Sequence, residues 1–262
     1  MLKLEKVGIQ REEKLEKFAR RDVVYSFEDE TIKQVAEKIR RSGMRRIPVV
    51  SSNLKLKGIV TTTDLLDSFL RREDPRSEVR NIMVREVIFC EAEDSVGKAL
   101  QKMKFSRRGG LPVTKKEKLY GIVTEKDFLD RLQLREFGIK VEEVMTKKPF
   151  CLTSSFSLFD VLKIIVNTKY RRLPVVEDSK LVGVVVGMDL LSHLLDTNFE
   201  FGALDEEMTK LVRKNVYSID ANLDLSSGIR EMRDKKVGGL FVTQDSKLVG
   251  ILTERDVLEI LE

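Results

Sequence analysis

The sequence predicts a mixed α/β (α+β) fold made of four copies of one unit of about 60 residues. Two observations carry this prediction. First, four segments share an apolar strand, a polar turn, a second apolar strand opened by a glycine, and an aspartate that leads into a helix. Second, the glycine precedes the aspartate by six residues in every copy. Constant spacing in four copies indicates a tandem repeat.

Each element of the unit has its own local signal. A helix comes first, because an N-cap residue precedes apolar residues at helical spacing, and the caps are Thr31, Ser95, Ser157 and Asp224. Two strands joined by a polar turn follow, and the glycines of the second strands are Gly58, Gly121, Gly183 and Gly250. A last helix is predicted at the aspartates, which are Asp64, Asp127, Asp189 and Asp256.

The copies alternate between two types. Copies one and three carry Arg-Arg before the first strand, whereas copies two and four carry Gly-Gly there and share a Thr-Glu-basic-Asp ending. This order predicts a duplicated pair, with copies one and two in one module and copies three and four in a second. One copy alone lacks the apolar surface for a core, so we expect the core to form by pairing within a module. The predicted domain boundaries are 1–70, 71–135, 136–200 and 201–262.

Composition excludes several classes of protein. A content of 42% hydrophobic and 35% charged residues fits a globular chain rather than a disordered one. There is no apolar run of about 18 residues and no apolar stretch of a signal peptide near the start. With two cysteines and one histidine, the sequence offers no disulfide framework, metal site or supported catalytic pair. We therefore predict a cytoplasmic protein that is not an enzyme and uses no catalytic cofactor.

A helix, a Pro-Val strand and Gly-Ile-Val-Thr-x-x-Asp entering a second helix resemble the CBS domain, a family named from cystathionine beta-synthase. The resemblance runs from about Val23 to the C-terminus. It implies βαββα units that pair into Bateman modules, and two modules that stack as a flat disc. A chain of four units resembles archaeal stand-alone CBS proteins and the gamma subunit of AMP-activated protein kinase. The resemblance implies that AMP, ADP, ATP or S-adenosylmethionine derivatives bind between paired repeats.

Two chemical roles are open for the repeat aspartates. A carboxylate in the first helical turn can cap free backbone N–H groups, and it can also accept hydrogen bonds from both hydroxyls of a ribose. In the family the matching Asp contacts ribose and the matching Thr contacts ligand. The resemblance therefore implies binding sites at Thr61 and Asp64, at Thr124 and Asp127, and at Thr253 and Asp256. Val186 replaces the Thr in the third copy, so we expect the site at Asp189 to be weak, altered or empty.

Phosphate groups require positive charge, and the Arg-Arg pairs offer it at Arg45, Arg46, Arg171 and Arg172. The resemblance implies that the first arginine of each pair points to the centre of the disc, where phosphates converge, and guanidinium groups suit such contacts. A second interpretation is that these residues complement a helix dipole. The Gly-Gly pairs of copies two and four either admit a close ligand or end a helix. Weaker candidates for the charge in those copies are Arg107, Arg108, Lys235 and Lys236.

The sequence thus predicts a regulatory module that binds AMP, ADP or ATP and signals to a protein partner or to a second copy in a homodimer. Three alternatives stay open: a nucleic-acid-binding CBS protein, an S-adenosylmethionine-type sensor, and a ligand-free dimerisation scaffold. A pI near 9.0 and the paired arginines favour nucleic acid. Aromatic residues at 6% and the lack of tryptophan argue against it, because no stacking platform is evident. We expect no membrane partner.

Overall fold

The structure, a computed structural model, describes residues 1–178 and 180–262. In the first module each repeat contains a short strand, a helix, two longer strands and a second helix, which is the predicted βαββα order. The elements in chain order are α1 (Leu15–Phe18), β1 (Ser26–Phe27), α2 (Ile32–Ser42), β2 (Arg46–Val50), β3 (Leu56–Thr61), α3 (Thr62–Leu70), β4 (Cys90–Glu91), α4 (Val96–Ser106), β5 (Gly110–Lys115), β6 (Lys118–Thr124) and α5 (Glu125–Arg131).

The second module follows the same order, although the third repeat has one backbone bridge, between Leu152 and Val175, in place of a first strand. No helix within the described residues is long and apolar enough to cross a bilayer. The elements are α6 (Val141–Val144), β7 (Thr146–Lys147), α7 (Leu158–Thr168), β8 (Arg172–Glu177), β9 (Lys180–Val186), α8 (Gly187–Asp196), β10 (Ser218–Asp220), α9 (Leu225–Asp234), β11 (Gly239–Gln244), β12 (Lys247–Thr253) and α10 (Glu254–Glu259).

The four predicted helix starts are confirmed. Each N-cap side chain accepts a hydrogen bond from a backbone N–H of the first turn, and the caps of α2, α4, α7 and α9 are Thr31, Ser95, Ser157 and Asp224. Such a cap stabilises a helix by about 1 kcal/mol. The number of residues from the cap to the following strand is the same in each repeat, so the helix and the strand are placed alike in all four.

The two repeats of a module exchange a short segment of backbone. Arg20, near the start of repeat one, pairs with Ile122 in β6 of repeat two, and the two residues exchange backbone hydrogen bonds of 3.0 Å. The equivalent pairs of the other repeats are Val84 with Ile59, Thr146 with Ile251, and Arg213 with Val184. We call Arg20, Val84, Thr146 and Arg213 the exchanged residues. Each sheet is thus extended by the linker of the neighbouring repeat, which joins the two repeats of a module.

The constant glycine of the second strand lies beneath this exchanged backbone. A Cβ atom built on Gly121 would lie 2.7 Å from the carbonyl oxygen of Arg20 and 3.3 Å from the Cβ of Ala19. At Gly58 the neighbouring atoms belong instead to the side chain of Met83. Gly121 does not have a positive φ angle. The glycine is therefore required by the close approach of two backbones.

Replacing Gly121 with alanine is expected to destabilise the protein by about 1–3 kcal/mol, because the methyl group would push the exchanged backbone away from β6. The matched control is Gly202→Ala, since a Cβ there meets nothing within 4 Å. Chemical denaturation of both variants measures the difference. Equal stability of Gly121→Ala and the wild-type protein would contradict the close approach.

The apolar cores run between the modules, which differs from the core within each module that the sequence predicted. Helices α2 and α3 of repeat one contact α7 and α8 of repeat three, and their apolar faces form one buried cluster. In a second cluster α5 of repeat two contacts α10 of repeat four, and N-terminal residues such as Leu4 and Phe18 complete it. Repeats of one module thus share strands, while repeats of different modules share helical faces. The flat-disc arrangement stays a prediction.

Candidate ligand-binding site

Each Thr–Asp pair lies where a second strand meets the last helix. Thr61 is the N-cap of α3, and its hydroxyl and backbone N–H donate to one oxygen of Asp64 at 2.7 and 2.8 Å. The other two pairs bond in the same way at 2.6–2.7 Å, and they are Thr124 with Asp127 and Thr253 with Asp256. The capping role that the sequence allowed is therefore present in three repeats. It occupies one carboxylate oxygen, Oδ2, and leaves Oδ1 for another group.

The environment of Oδ1 differs among these three aspartates. In Asp127 it forms an ion pair with Arg20, with an Nε–Oδ1 distance of 3.0 Å. In Asp256 it accepts a hydrogen bond of 3.0 Å from the hydroxyl of Thr146. In Asp64 no hydrogen bond or ion pair from residues 1–178 or 180–262 reaches this oxygen. Asp64 is also only half-buried.

The third repeat has a different arrangement. Helix α8 begins after Val186 and lacks a side-chain cap. Asp189 instead forms a two-point ion pair with Arg213, in which Nε donates to Oδ2 at 2.6 Å and Nη2 donates to Oδ1. Two parallel contacts between a guanidinium and a carboxylate make a strong pair. Both oxygens of Asp189 are therefore already bound.

Burial changes the ionisation of two of the capping carboxyl groups. It raises the pKa of Asp127, although the hydrogen bonds from Thr124 and the charge of Arg20 oppose the change. Burial also raises the pKa of Asp256, against the hydrogen bonds from Thr253. A carboxyl group accepts hydrogen bonds from two hydroxyls when it is ionised. Affinity for a diol at these two positions should therefore fall as the pH is lowered toward the raised pKa values.

Charged side chains from all four repeats meet in one place, which we call the charge cluster. Arg45 of repeat one contacts Glu254 of repeat four at 3.2 Å, and Arg171 of repeat three contacts Glu125 of repeat two at 3.6 Å. Arg255 also donates to Glu125, whose side chain is 2% exposed. The members of the cluster are Arg45, Arg46, Arg171, Arg172, Arg255, Glu125 and Glu254. Five guanidinium groups and two carboxylates leave an excess of three positive charges.

Two arginines of the cluster have no carboxylate partner among the described residues. Nη1 of Arg46 donates to the carbonyl oxygen of Gly110 at 3.1 Å, and Nη1 of Arg172 donates to that of Gly238 at 3.4 Å. Burial, together with the neighbouring guanidinium charges, lowers the pKa of Arg46 to about 9 and that of Arg172 to about 10. Burial and the neighbouring positive charges both disfavour the charged form of these two groups. An anion placed beside these groups would be stabilised.

The glycine pairs of repeats two and four provide the space for this cluster. A Cβ on Gly109 would lie 2.6 Å from the carboxylate of Glu125 and 2.9 Å from Nη2 of Arg171. A Cβ on Gly238 would lie 2.8 Å from the carboxylate of Glu254. Neither glycine has a positive φ angle. The pairs therefore allow charged side chains to approach the backbone, and close approach of a ligand stays a prediction.

Strand register places the charge cluster beside the Thr–Asp pairs. Arg46 is the cross-strand partner of Thr61, and such partners have Cα atoms about 5 Å apart. Glu125 directly follows Thr124 in the chain. Arg46 therefore lies across the strand pair from the threonine that bonds to Asp64. The predicted carboxylate and arginine sites belong to one region.

Several residues of this region carried no predicted role. Glu125, Glu254 and Arg255 belong to the Thr-Glu-basic-Asp ending, which the sequence made visible. Each exchanged residue lies eleven residues before the helix cap of its own repeat, so constant spacing could have found all four. The weaker candidates for positive charge in repeats two and four are all exposed. None of them forms an ion pair with Glu125 or Glu254. These candidates are Arg107, Arg108, Lys235 and Lys236.

The fold and the site define a protein of four strand-exchanged βαββα repeats with carboxylates and a cationic cluster at their junctions. Four segments of the chain match the model of the CBS domain, and they are residues 15–71, 79–134, 141–196 and 208–262. The chain belongs to the CBS-domain family.

Two uncharacterized proteins are similar over most of the sequence. A 33.4 kDa protein in the ribosomal RNA operon of Thermofilum pendens is 27% identical over 255 residues, which are 83% of this chain and 81% of that protein. Protein MJ1225 of Methanocaldococcus jannaschii is 25% identical over 268 residues, which are 90% of this chain and 94% of that protein.

Two crystal structures share the fold over nearly the whole chain. That of protein MJ1225, proposed as an archaeal homologue of g-AMPK, has a TM-score of 0.85 at 24% identity and covers 94% of this chain and 99% of that one. An uncharacterized conserved protein from Pyrococcus horikoshii has a TM-score of 0.64 at 18% identity and covers 95% of this chain and 99% of that one. Both share the fold of this chain.

Proposed function

We propose that this protein is a regulatory module that binds AMP, ADP or ATP. One observation supports the proposal most strongly: a carboxylate suited to a ribose lies across a strand pair from a cluster with three excess positive charges. A nucleotide carries a diol and phosphates at its two ends, so both features would be used at once. A ligand without phosphate would leave the cationic excess uncompensated.

The ribose would bind at Asp64. The Oδ1 atom of this residue has no partner from the described residues, while Oδ2 is held by Thr61. Two ribose hydroxyls could donate to the carboxylate, each through a charge-assisted hydrogen bond worth about 1.5–3 kcal/mol. The cap fixes the side chain in advance, which reduces the entropy lost on binding.

The phosphates would bind in the charge cluster, beginning with Arg46 and Arg172. These two guanidinium groups bond to backbone carbonyls instead of carboxylates. Guanidinium groups bind phosphate oxygens through paired hydrogen bonds. A phosphate would relieve the repulsion among five neighbouring arginines, and additional phosphates would compensate more of the excess charge.

A signal would arise because phosphate competes with Glu254 for Arg45. This ion pair joins repeat one to repeat four, and hence one module to the other. A nucleotide that binds one arrangement of the modules better than another shifts the population between them. A protein partner or a second copy of the chain would read that shift.

Titration calorimetry and thermal melting with AMP, ADP and ATP test the proposal. We expect heat of binding and a stabilisation of about 2.7 kcal/mol at a ligand concentration of 100 times Kd. Adenosine should bind much more weakly, because it lacks the charge that the cluster requires. No heat and no rise in melting temperature with all three nucleotides at millimolar concentration would contradict nucleotide binding. Tighter binding of S-adenosylmethionine than of AMP would favour the other ligand class.

A further inference from the structure

We propose that the exchanged residue of each repeat determines whether the aspartate of the partner repeat is open to a ribose. This inference rests on the proposed nucleotide-binding function. The four exchanged residues occupy one equivalent position, because each pairs with the residue that follows the constant glycine. They differ in chemistry, since two are arginines, one is a threonine and one is a valine.

The contacts of the aspartates follow this difference. Arg213 binds both oxygens of Asp189, whereas Arg20 contacts Oδ1 of Asp127 through one ion pair. The hydroxyl of Thr146 contacts Oδ1 of Asp256 without a charge. Val84 has no polar group in its side chain, and no described residue supplies a partner for Oδ1 of Asp64. In three repeats the exchanged residue therefore already contacts Oδ1 of the aspartate. At Asp64 it leaves that oxygen open.

The energies of these contacts predict an order of occupancy. A ribose at Asp189 must displace two guanidinium contacts, and one at Asp127 must displace an ion pair on a buried carboxylate. At Asp256 it must displace one neutral hydroxyl, which can rotate and make another bond. At Asp64 it displaces no protein group. Nucleotide should therefore fill Asp64 first, then Asp256, then Asp127, and Asp189 last.

Sites of different affinity would let one chain respond at several nucleotide concentrations. At low nucleotide concentration the site at Asp64 would be filled, and the phosphates there would compete for Arg45. Higher concentration would fill the site at Asp256, whose neighbour Glu254 is the other member of the same cross-module ion pair. The exchanged residues thus act as specificity-determining residues that tune each threshold separately.

Equilibrium dialysis with labelled AMP tests the inference with two opposite substitutions. Val84→Arg places a guanidinium at the open site and should weaken the tightest binding class about tenfold or more. Arg20→Val removes the competing charge at Asp127 and should tighten binding at that site by a similar factor. The matched control is Arg85→Val, which removes an exposed arginine whose contact is the carbonyl oxygen of Arg80.

The outcomes separate this inference from the function on which it rests. If the wild-type protein binds AMP and both substitutions leave the isotherm unchanged, the exchanged residues do not control access and the inference is overturned alone. If the wild-type protein binds no AMP, the proposed function fails and the inference fails with it. Melting curves check that the variants fold. If Val84→Arg does not fold, Arg20→Val tests the inference by itself. Tighter binding of AMP would support it, and unchanged binding would overturn it.

Discussion

Replacing Glu125 with glutamine is expected to destabilise the protein by about 3 kcal/mol, because removal of one partner from a buried ion pair leaves the other charge uncompensated. Glu125 contacts both Arg171 and Arg255 and is 2% exposed. The substitution keeps the size of the side chain and raises the excess of positive charge in the cluster from three to four. Denaturation in the absence of ligand measures the loss.

Phosphate should restore part of this loss. A polyphosphate such as ATP would neutralise the additional positive charge, so its stabilising effect should be larger for Glu125→Gln than for the wild-type protein. Glu73→Gln is the control, because Glu73 is exposed and has no ion pair among the residues that the structure describes. Equal stabilisation of all three proteins by ATP would contradict phosphate binding in the cluster.

The pH dependence of Glu125 provides an independent check. Burial opposes its ionisation, but the charges of Arg171 and Arg255 outweigh this effect and hold its pKa below the ordinary value of 4.5. A depressed pKa in the folded state contributes stability that is present above the unfolded pKa and is lost as pH falls through the folded pKa. The difference in stability between wild type and Glu125→Gln should therefore shrink below about pH 4.5.

Replacing Asp64 with alanine is expected to reduce the affinity for AMP at its site by about 100-fold. Two charge-assisted hydrogen bonds to the ribose would be lost, and about 3 kcal/mol corresponds to about 100-fold in Kd. The variant should also lose about 1 kcal/mol of stability, because the capping box with Thr61 is removed. Calorimetry measures the affinity, and denaturation measures the stability.

The control for this substitution is Asp67→Ala on the same helix. Asp67 forms a surface ion pair with Arg71, one helical turn later. It has no role in the proposed site. Its loss should change stability by less than about 0.5 kcal/mol and leave nucleotide binding intact. If Asp64→Ala loses stability but binds AMP as the wild-type protein does, the carboxylate is a cap and no more.

Much of the fold could be predicted because its signals are local. The caps Thr31, Ser95, Ser157 and Asp224 bond to backbone groups within three residues, so sequence spacing alone located four helices. The capping role of the Thr–Asp pairs is equally local. The alternation of Arg-Arg and Gly-Gly indicated paired repeats, and the second arginine of each pair does donate to a glycine carbonyl of the other repeat in its module.

The remaining features depend on contacts between distant parts of the chain. Arg20 and Asp127 are separated by more than 100 residues, and nothing local to either residue indicates their ion pair. Glu125 and Arg171 meet because apolar helix faces bring the two modules together, and a helical pattern does not specify which helix it will face. The sequence therefore predicted the parts of the site and missed how the parts are joined.

A crystal structure of the protein with AMP tests the central claim most directly. We predict that the two ribose hydroxyls lie within hydrogen-bond distance of the Asp64 carboxylate and that the phosphate contacts guanidinium groups of the charge cluster. Nucleotide bound elsewhere, or clear density for the protein with Asp64, Asp127 and Asp256 all free of ligand at millimolar AMP, would contradict it.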